Sequence, residues 1–217
     1  RPDMVEKFTT DIEALLTDPN RSVVMFAVST MLKVVREEQV ERLIKQLGDI
    51  TADGDASNSS TQREVVAAVK QLCMRYHKKH VVLMNFLSTN LREEGTIEFK
   101  RDLSDAMIEC LQNVPGAKEH GLLQLCEFIE DCEFPSVCVK ILGLLGEEVP
   151  KTQNPGKYVR FIYNRLILEN ALVRGAAVDA LTKIAAQVES LRKDIGILLG
   201  VGKNDNDDEV PYVSYEF

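Results

Sequence analysis

The sequence predicts an all-α fold, a right-handed solenoid of stacked helical hairpins. Three observations carry that expectation. Apolar residues recur at i, i+3, i+4 and i+7 through most of the 217 residues, the spacing that lines one face of a helix. One short pattern returns five times along the chain. Glycine and proline are scarce, 12 and 7 residues, which suits long helices joined by few turns. No alternating apolar–polar run of useful length argues for a strand. There is no Trp, so the core must come largely from Leu, Ile, Val and Ala, which helix-on-helix packing accommodates well.

The recurring pattern is a polar or acidic start followed by an apolar helix with a small residue near its middle. It begins at Asn20, Gln62, Glu98, Phe134 and Asn170, and its small residues are Ala27, Ala68, Ala106, Cys138 and Ala177. These lie about 37 residues apart, near the period of HEAT and armadillo units. Partner helices fall between them. Leu43, Ile44, Leu47 and Ile50 form one stripe, and Val82, Leu83, Phe86, Leu87 and Leu91 a second. Leu122, Leu125, Cys126 and Ile129 make a third, and Tyr158, Phe161, Ile162, Arg165 and Leu166 a fourth. Each hairpin has an apolar face that it cannot bury alone, and stacking on its neighbours buries a continuous core. The small residues let the second helix of each unit approach its partners closely.

Eleven or so helices follow, in five hairpins plus a partial sixth. Residues 1–203 form the solenoid, and residues 204–217 an acidic turn and a divergent tail. Asp18-Pro19-Asn20 supplies a turn and an N-cap. Residues 51–61 read as a solvated loop, and Pro115-Gly116 and residues 150–156 as further breaks. Gly200 with Lys203 reads as a helix C-cap. A phosphate loop would need Ser or Thr after the lysine, where Asn204 stands.

Charge and cysteine usage narrow the function classes. Lys plus Arg number 26 against 34 Asp plus Glu, a net charge of −8. That argues against a nucleic-acid-binding domain, while a local basic patch leaves a membrane-facing surface open. Five cysteines, an odd number without a CxxC pair, point to a reducing compartment. No apolar run approaches the length of a membrane span, and the first residues do not resemble a signal peptide. The chain opens without Met, and its first apolar positions look like the middle of a helix, so it reads as a fragment of a longer protein. A cut array should expose apolar ends. The expected sets are Val5, Phe8, Ile12 and Leu15 at one end, and Leu191, Ile195, Leu198, Tyr212, Tyr215 and Phe217 at the other.

Four groups of residues invite a functional reading. Cys73, His77 and His80 have i, i+4, i+7 spacing, suited to metal ligands on one helix face. The surrounding Arg75, Lys78 and Lys79 and the missing fourth ligand argue against a metal. Cys126, Cys132 and Cys138 have His120 as their sole sequence neighbour among histidines. Buried small hydrophobes are the expectation for these cysteines, with no nucleophile and no catalytic residue. Glu127, Glu130, Asp131, Glu133, Glu147 and Glu148 read as a solvated face. Lys157, Tyr158, Arg160, Phe161, Tyr163, Asn164 and Arg165 put three cations and three aromatics on one helix. Tyr and Arg are typical interface anchors, so Lys157, Tyr158, Arg160, Tyr163, Asn164 and Arg165 are the candidate partner-binding residues. The competing reading makes Tyr158, Phe161 and Ile162 core, with the Arg residues capping neighbouring helices or pairing with Glu169 and their stems covering apolar surface.

Four segments carry a family resemblance. Residues 16–23 read LTDPNRSV, 83–95 LMNFLSTNLREEG, 121–134 GLLQLCEFIEDCEF and 154–170 NPGKYVRFIYNRLILEN. Together they closely resemble the gamma subunits of coatomer, the COPI vesicle coat. The likeness runs from about Asp11 to Glu209, and its CEFIEDC and YxRFIYNR runs are its specific part. It implies the carboxy-terminal half of an adaptin-like trunk in a non-enzymatic coat subunit without cofactor. The implied partners are the beta trunk and zeta subunits, with an Arf-family GTPase binding an earlier part of the trunk. The implied location is cytoplasmic, peripheral on Golgi membranes and COPI-coated vesicles. After Val210 the family continues into a helix, whereas this chain reads PYVSYEF.

Overall fold

The structure, a computed structural model, describes residues 9–52, 59–114 and 116–202. Eleven α-helices and no strand occur among the described residues. They are α1 Thr9–Ala14, α2 Arg21–Val34, α3 Val40–Ala52, α4 Ser59–Arg75, α5 His80–Arg92 and α6 Ile97–Asn113. Then follow α7 Ala117–Glu130, α8 Pro135–Glu148, α9 Gly156–Leu168, α10 Ala171–Gln187 and α11 Glu189–Gly202. The all-α expectation holds, and the five small-centred segments are α2, α4, α6, α8 and α10.

Local chemistry sets the helix starts. The Asn20 side chain accepts the Ser22 N–H at 3.0 Å, as its sequence context predicts. Thr96 accepts from Phe99 N at 3.3 Å and Asn170 from Val173 N at 3.2 Å. Each bond satisfies an N–H that the helix itself leaves without a partner. Pro135 opens α8, where the missing N–H matters least.

The chain divides into two compact units, meeting between Gly121 and Leu122. In the first, α2, α4 and α6 pack side by side, and α3 packs against α5. Helices α3, α4, α5 and α6 also pack each on the next. In the second, α10 packs on α8, α9 and α11, and α9 touches α11. The small residues sit where the helices crowd: Ala27, Ala68, Ala106, Cys138 and Ala177 are all buried. Gly146 on α8 extends this logic, since a Cβ there would stand 2.9 Å from the Ala180 Cα on α10. Lys100 shows how a buried cation is tolerated. Its ammonium donates to the Asn90 carbonyl at 2.9 Å and to the Glu93 carbonyl, closing the end of α5.

Two boundaries and one set of end residues differ from the sequence reading. Helix α4 begins at Ser59, so the expected loop over 51–61 loses both edges: Thr51 lies in the last turn of α3, which ends at Ala52, and Thr61 is buried in α4. Hydroxyl residues that read as loop are also at home in a first helical turn. Helix α11 runs through Gly200 to Gly202, so Gly200 is not a cap. A helix pays roughly 1 kcal/mol for an interior glycine relative to Ala and need not stop there. Of the expected end sets, Leu15 is 43% exposed, but Ile195 is fully buried and Ile197, 60% exposed, faces out instead. The packing of α11 on both α9 and α10 turns Ile195 inward. Val5, Phe8, Tyr212, Tyr215, Phe217 and residues 204–217 lie outside the described residues.

Candidate functional site

Helix α9 positions the aromatic–cationic stretch that the sequence singled out. Its inner face carries Tyr158, Phe161, Ile162, Arg165 and Leu166, all buried. Two candidate residues therefore do not reach the surface. Tyr158 is fully buried, and Arg165, 6% exposed, pairs with Glu169 at 2.7 Å. Lys157 and Arg160 are exposed, and Tyr163 and Asn164 half-buried. The exposed cations are laid on the aromatics beneath them. The Lys157 ammonium lies 4.8 Å from the Tyr158 ring centre, and the Arg160 guanidinium 4.7 Å from that of Phe161. Such contacts hold cationic heads in place without removing them from water.

Lys157, Arg160, Asn164 and Ile167 share the outer face of α9 at i, i+3, i+7 and i+10. Ile167 is 53% exposed, and Leu172, just past the turn into α10, is 63% exposed. Sequence reasoning missed both, because an apolar residue in a periodic helix reads as core. The available signal was register: Ile167 falls one position beyond the buried Arg165–Leu166 pair.

The other candidates separate. Cys73 is buried on α4, His77 lies in a short 3-10 turn, and His80 begins α5, so the spacing does not run along one helix. The α4 helix ends at Arg75, and the backbone turns at Tyr76. Cys73 is hydrogen-bonded to the Cys110 thiol instead, which lowers its pKa and raises that of Cys110. His80 Nδ1 meets the His77 carbonyl at 2.7 Å. The described residues hold no group of three His, Cys, Asp or Glu placed to bind a metal ion.

Cys126 and Cys138 are buried and Cys132 half-buried. Burial raises the Cys126 thiol, and it pushes Cys138 up to about 12, so neither forms a thiolate at neutral pH. His120 is turned to Asn85, 2.9 Å away. A shallow groove between α2 and α4 is lined by Arg21, Ser22, Met25, Phe26, Ser29, Ser60, Thr61 and Glu64. No helix among the described residues is long and apolar enough to cross a membrane.

Packed helical hairpins with cations, an amide and aliphatic side chains on one outer face define a helical-repeat protein. The adaptin N terminal region matches residues 1–216, and the chain belongs to that family. Relatives that it matches include gamma subunits of coatomer. It is 46% identical over 209 residues to coatomer subunit gamma-1 of Rattus norvegicus, covering 96% of this chain and 24% of the relative. Coatomer subunit gamma of Drosophila pseudoobscura pseudoobscura is 47% identical, with the same coverage. Coatomer subunit gamma-1 of Oryza sativa subsp. japonica is 45% identical over 210 residues, 97% of this chain and 23% of the relative. The chain thus spans about a quarter of the length of these relatives. A solved engineered protein covers 93% of the chain at 15% identity with a TM-score of 0.45, too distant a likeness to bear on the fold.

Proposed function

We propose that this chain is part of the trunk of a COPI coat subunit, corresponding to the carboxy-terminal half of the coatomer gamma trunk. The single observation that carries the reading is 45–47% identity to coatomer gamma subunits along nearly the whole chain. Its work is to hold other coat subunits, the beta trunk and zeta, on the surfaces of its packed helices. It acts in transport between Golgi and endoplasmic reticulum, in the cytoplasm and peripherally on Golgi membranes and coated vesicles. The subunit meets an Arf-family GTPase through a more amino-terminal part of the trunk. No cofactor and no catalytic step enter this function.

The contact surface in this reading is the outer face of α9. Lys157, Arg160, Tyr163 and Asn164 face the partner, with Ile167 and Leu172 as the apolar part. Tyr158 and Arg165 act from behind, as the packed base on which that face stands. Tightly packed aromatic support and exposed cations are the usual ingredients of an interface centre. Co-expression with the beta trunk and zeta subunits, followed by co-purification, tests the proposal. A stable complex that Arg160→Glu together with Ile167→Asp dissolves, with helix content unchanged, supports it. Co-purification unaffected by those changes moves the interface elsewhere, and no complex with either subunit removes the coat reading for this chain.

A further inference from the structure

One edge of the first unit gathers cations that lie outside the proposed coat contact on α9. Helices α2, α4 and α6 pack side by side, and each is followed by a helix running back, so their carboxy-terminal turns share an edge. Two hydrogen bonds tie two of these turns together. Arg75 Nη1 donates to the Leu32 carbonyl at 3.0 Å, and the Tyr76 hydroxyl donates to the Val35 carbonyl at 2.5 Å. The third turn is near, with Gly116 against the His80 imidazole. This places Lys33 and Arg36, at the end of α2, on the same edge as Arg75, Lys78 and Lys79 at the end of α4. Glu37, Glu38 and Glu41 are the carboxylates on the same turns.

Some of these cations have structural work. Arg75 closes α2 through the Leu32 carbonyl, and Lys79 pairs with Glu41 at 2.6 Å. Lys33 and Lys78 are exposed and, among the described residues, form no hydrogen bond or ion pair. Complementing a helix dipole accounts for Lys33, in the last turn of α2, but not for Lys78. Lys78 stands just before α5, whose first turn has no acidic residue and no side-chain cap. The positive end of that helix adds to the cations rather than opposing them. Val81, in the same first turn, is 44% exposed.

We propose that this turn edge binds the phosphate-bearing headgroups of an anionic lipid surface, with Lys33 and Lys78 as the main contacts and Val81 at the acyl boundary. Each Lys or Arg near an anionic bilayer contributes about 1 kcal/mol, and Lys33, Arg36, Arg75, Lys78 and Lys79 outnumber the three carboxylates on the same turns. The net charge of −8 does not forbid this, because carboxylates more than about 10 Å away are screened at physiological salt. A lipid surface fits better than other polyanions. The edge is a row of turn tips, and it presents the exposed Val81 beside its cations, as interfacial segments do.

Co-sedimentation of the whole chain with vesicles tests the inference, and no coat subunit is needed, so its failure leaves the coat reading standing. The chain should sediment with phosphatidylcholine vesicles containing phosphatidylserine, less with pure phosphatidylcholine, and less at high salt. Lys33→Gln with Lys78→Gln should lower the partition about 25-fold, near fivefold per charge removed, with the helical spectrum intact. Lys193→Gln, on α11 in the second unit, should leave it unchanged. Equal sedimentation with both vesicle types, or a double variant that binds like the parent, overturns the inference. So does saturable binding of inorganic phosphate or of a polyglutamate peptide at this edge without vesicle binding.

Discussion

Ala177 illustrates how a single small side chain carries the packing. It is fully buried on α10, where that helix meets α8, α9 and α11. Ala177→Asp places a carboxylate there with no partner, and the expected loss is on the order of 3 kcal/mol or more. Chemical denaturation measures it. An unfolding midpoint equal to that of the parent would show that the site admits water.

The buried thiols set a pH dependence at the same scale. Burial raises Cys126, and it pushes Cys138 up to about 12, both above their value in an unfolded chain. Below about pH 8.5 both states keep their protons and stability is at its full value. As pH rises from there toward 12, the unfolded chain gives up protons that the folded chain retains, so stability falls. The slope is at most about 1.4 kcal/mol per pH unit for each thiol. Urea midpoints across the alkaline range should fall in the parent and fall less in Cys138→Ala. Parallel curves would mean that Cys138 ionises alike in both states.

At the scale of the element, α8 contains two glycines that should answer oppositely to the same change. Gly143 has nothing within 4 Å of where a Cβ would stand, so Gly143→Ala should stabilise by about 0.5–1 kcal/mol through helix propensity. Gly146→Ala gains the same propensity but drives a methyl to 2.9 Å from the Ala180 Cα. A backbone atom cannot rotate away, so α8 and α10 must part, and the net loss should be about 1–3 kcal/mol. Thermal melts of the two variants decide the matter. Stabilisation by both would mean that the α8–α10 contact is looser than its geometry.

The same geometry shows why one periodicity could not tell a crowded glycine from an idle one. Both lie on a regular apolar helix, and only the position of α10 separates them. The α9 stretch has the same character. Three cations and three aromatics drew attention in the sequence, yet register alone did not divide them. Packing turned Tyr158 and Arg165 inward and left Lys157, Arg160 and Ile167 outside.

For the molecule as a whole, the coat reading predicts a division of labour along the subunit. The chain spans about a quarter of the coatomer gamma relatives, and the GTPase contact is assigned to a more amino-terminal part. Sedimentation of this chain with a GTP-loaded Arf-family GTPase should therefore show no complex at micromolar concentration. A stoichiometric, GTP-dependent complex would place a recruitment surface within these residues.

The sequence by itself determined the helical class, the five repeating helices and their small central residues, and the family likeness. These are local: a period near 3.6, a cap such as Asn20 and a run such as CEFIEDC are each complete within a few turns. Only the tertiary structure decided which residues face out. It buried Ile195 and exposed Ile197, because α11 rests on two helices. It separated Cys73 from His77 by ending α4 at Arg75, and it gathered Lys33 and Lys78, 45 positions apart in the chain, onto one edge. Exposure and juxtaposition depend on what a distant segment covers, and periodicity within one helix carries no record of that.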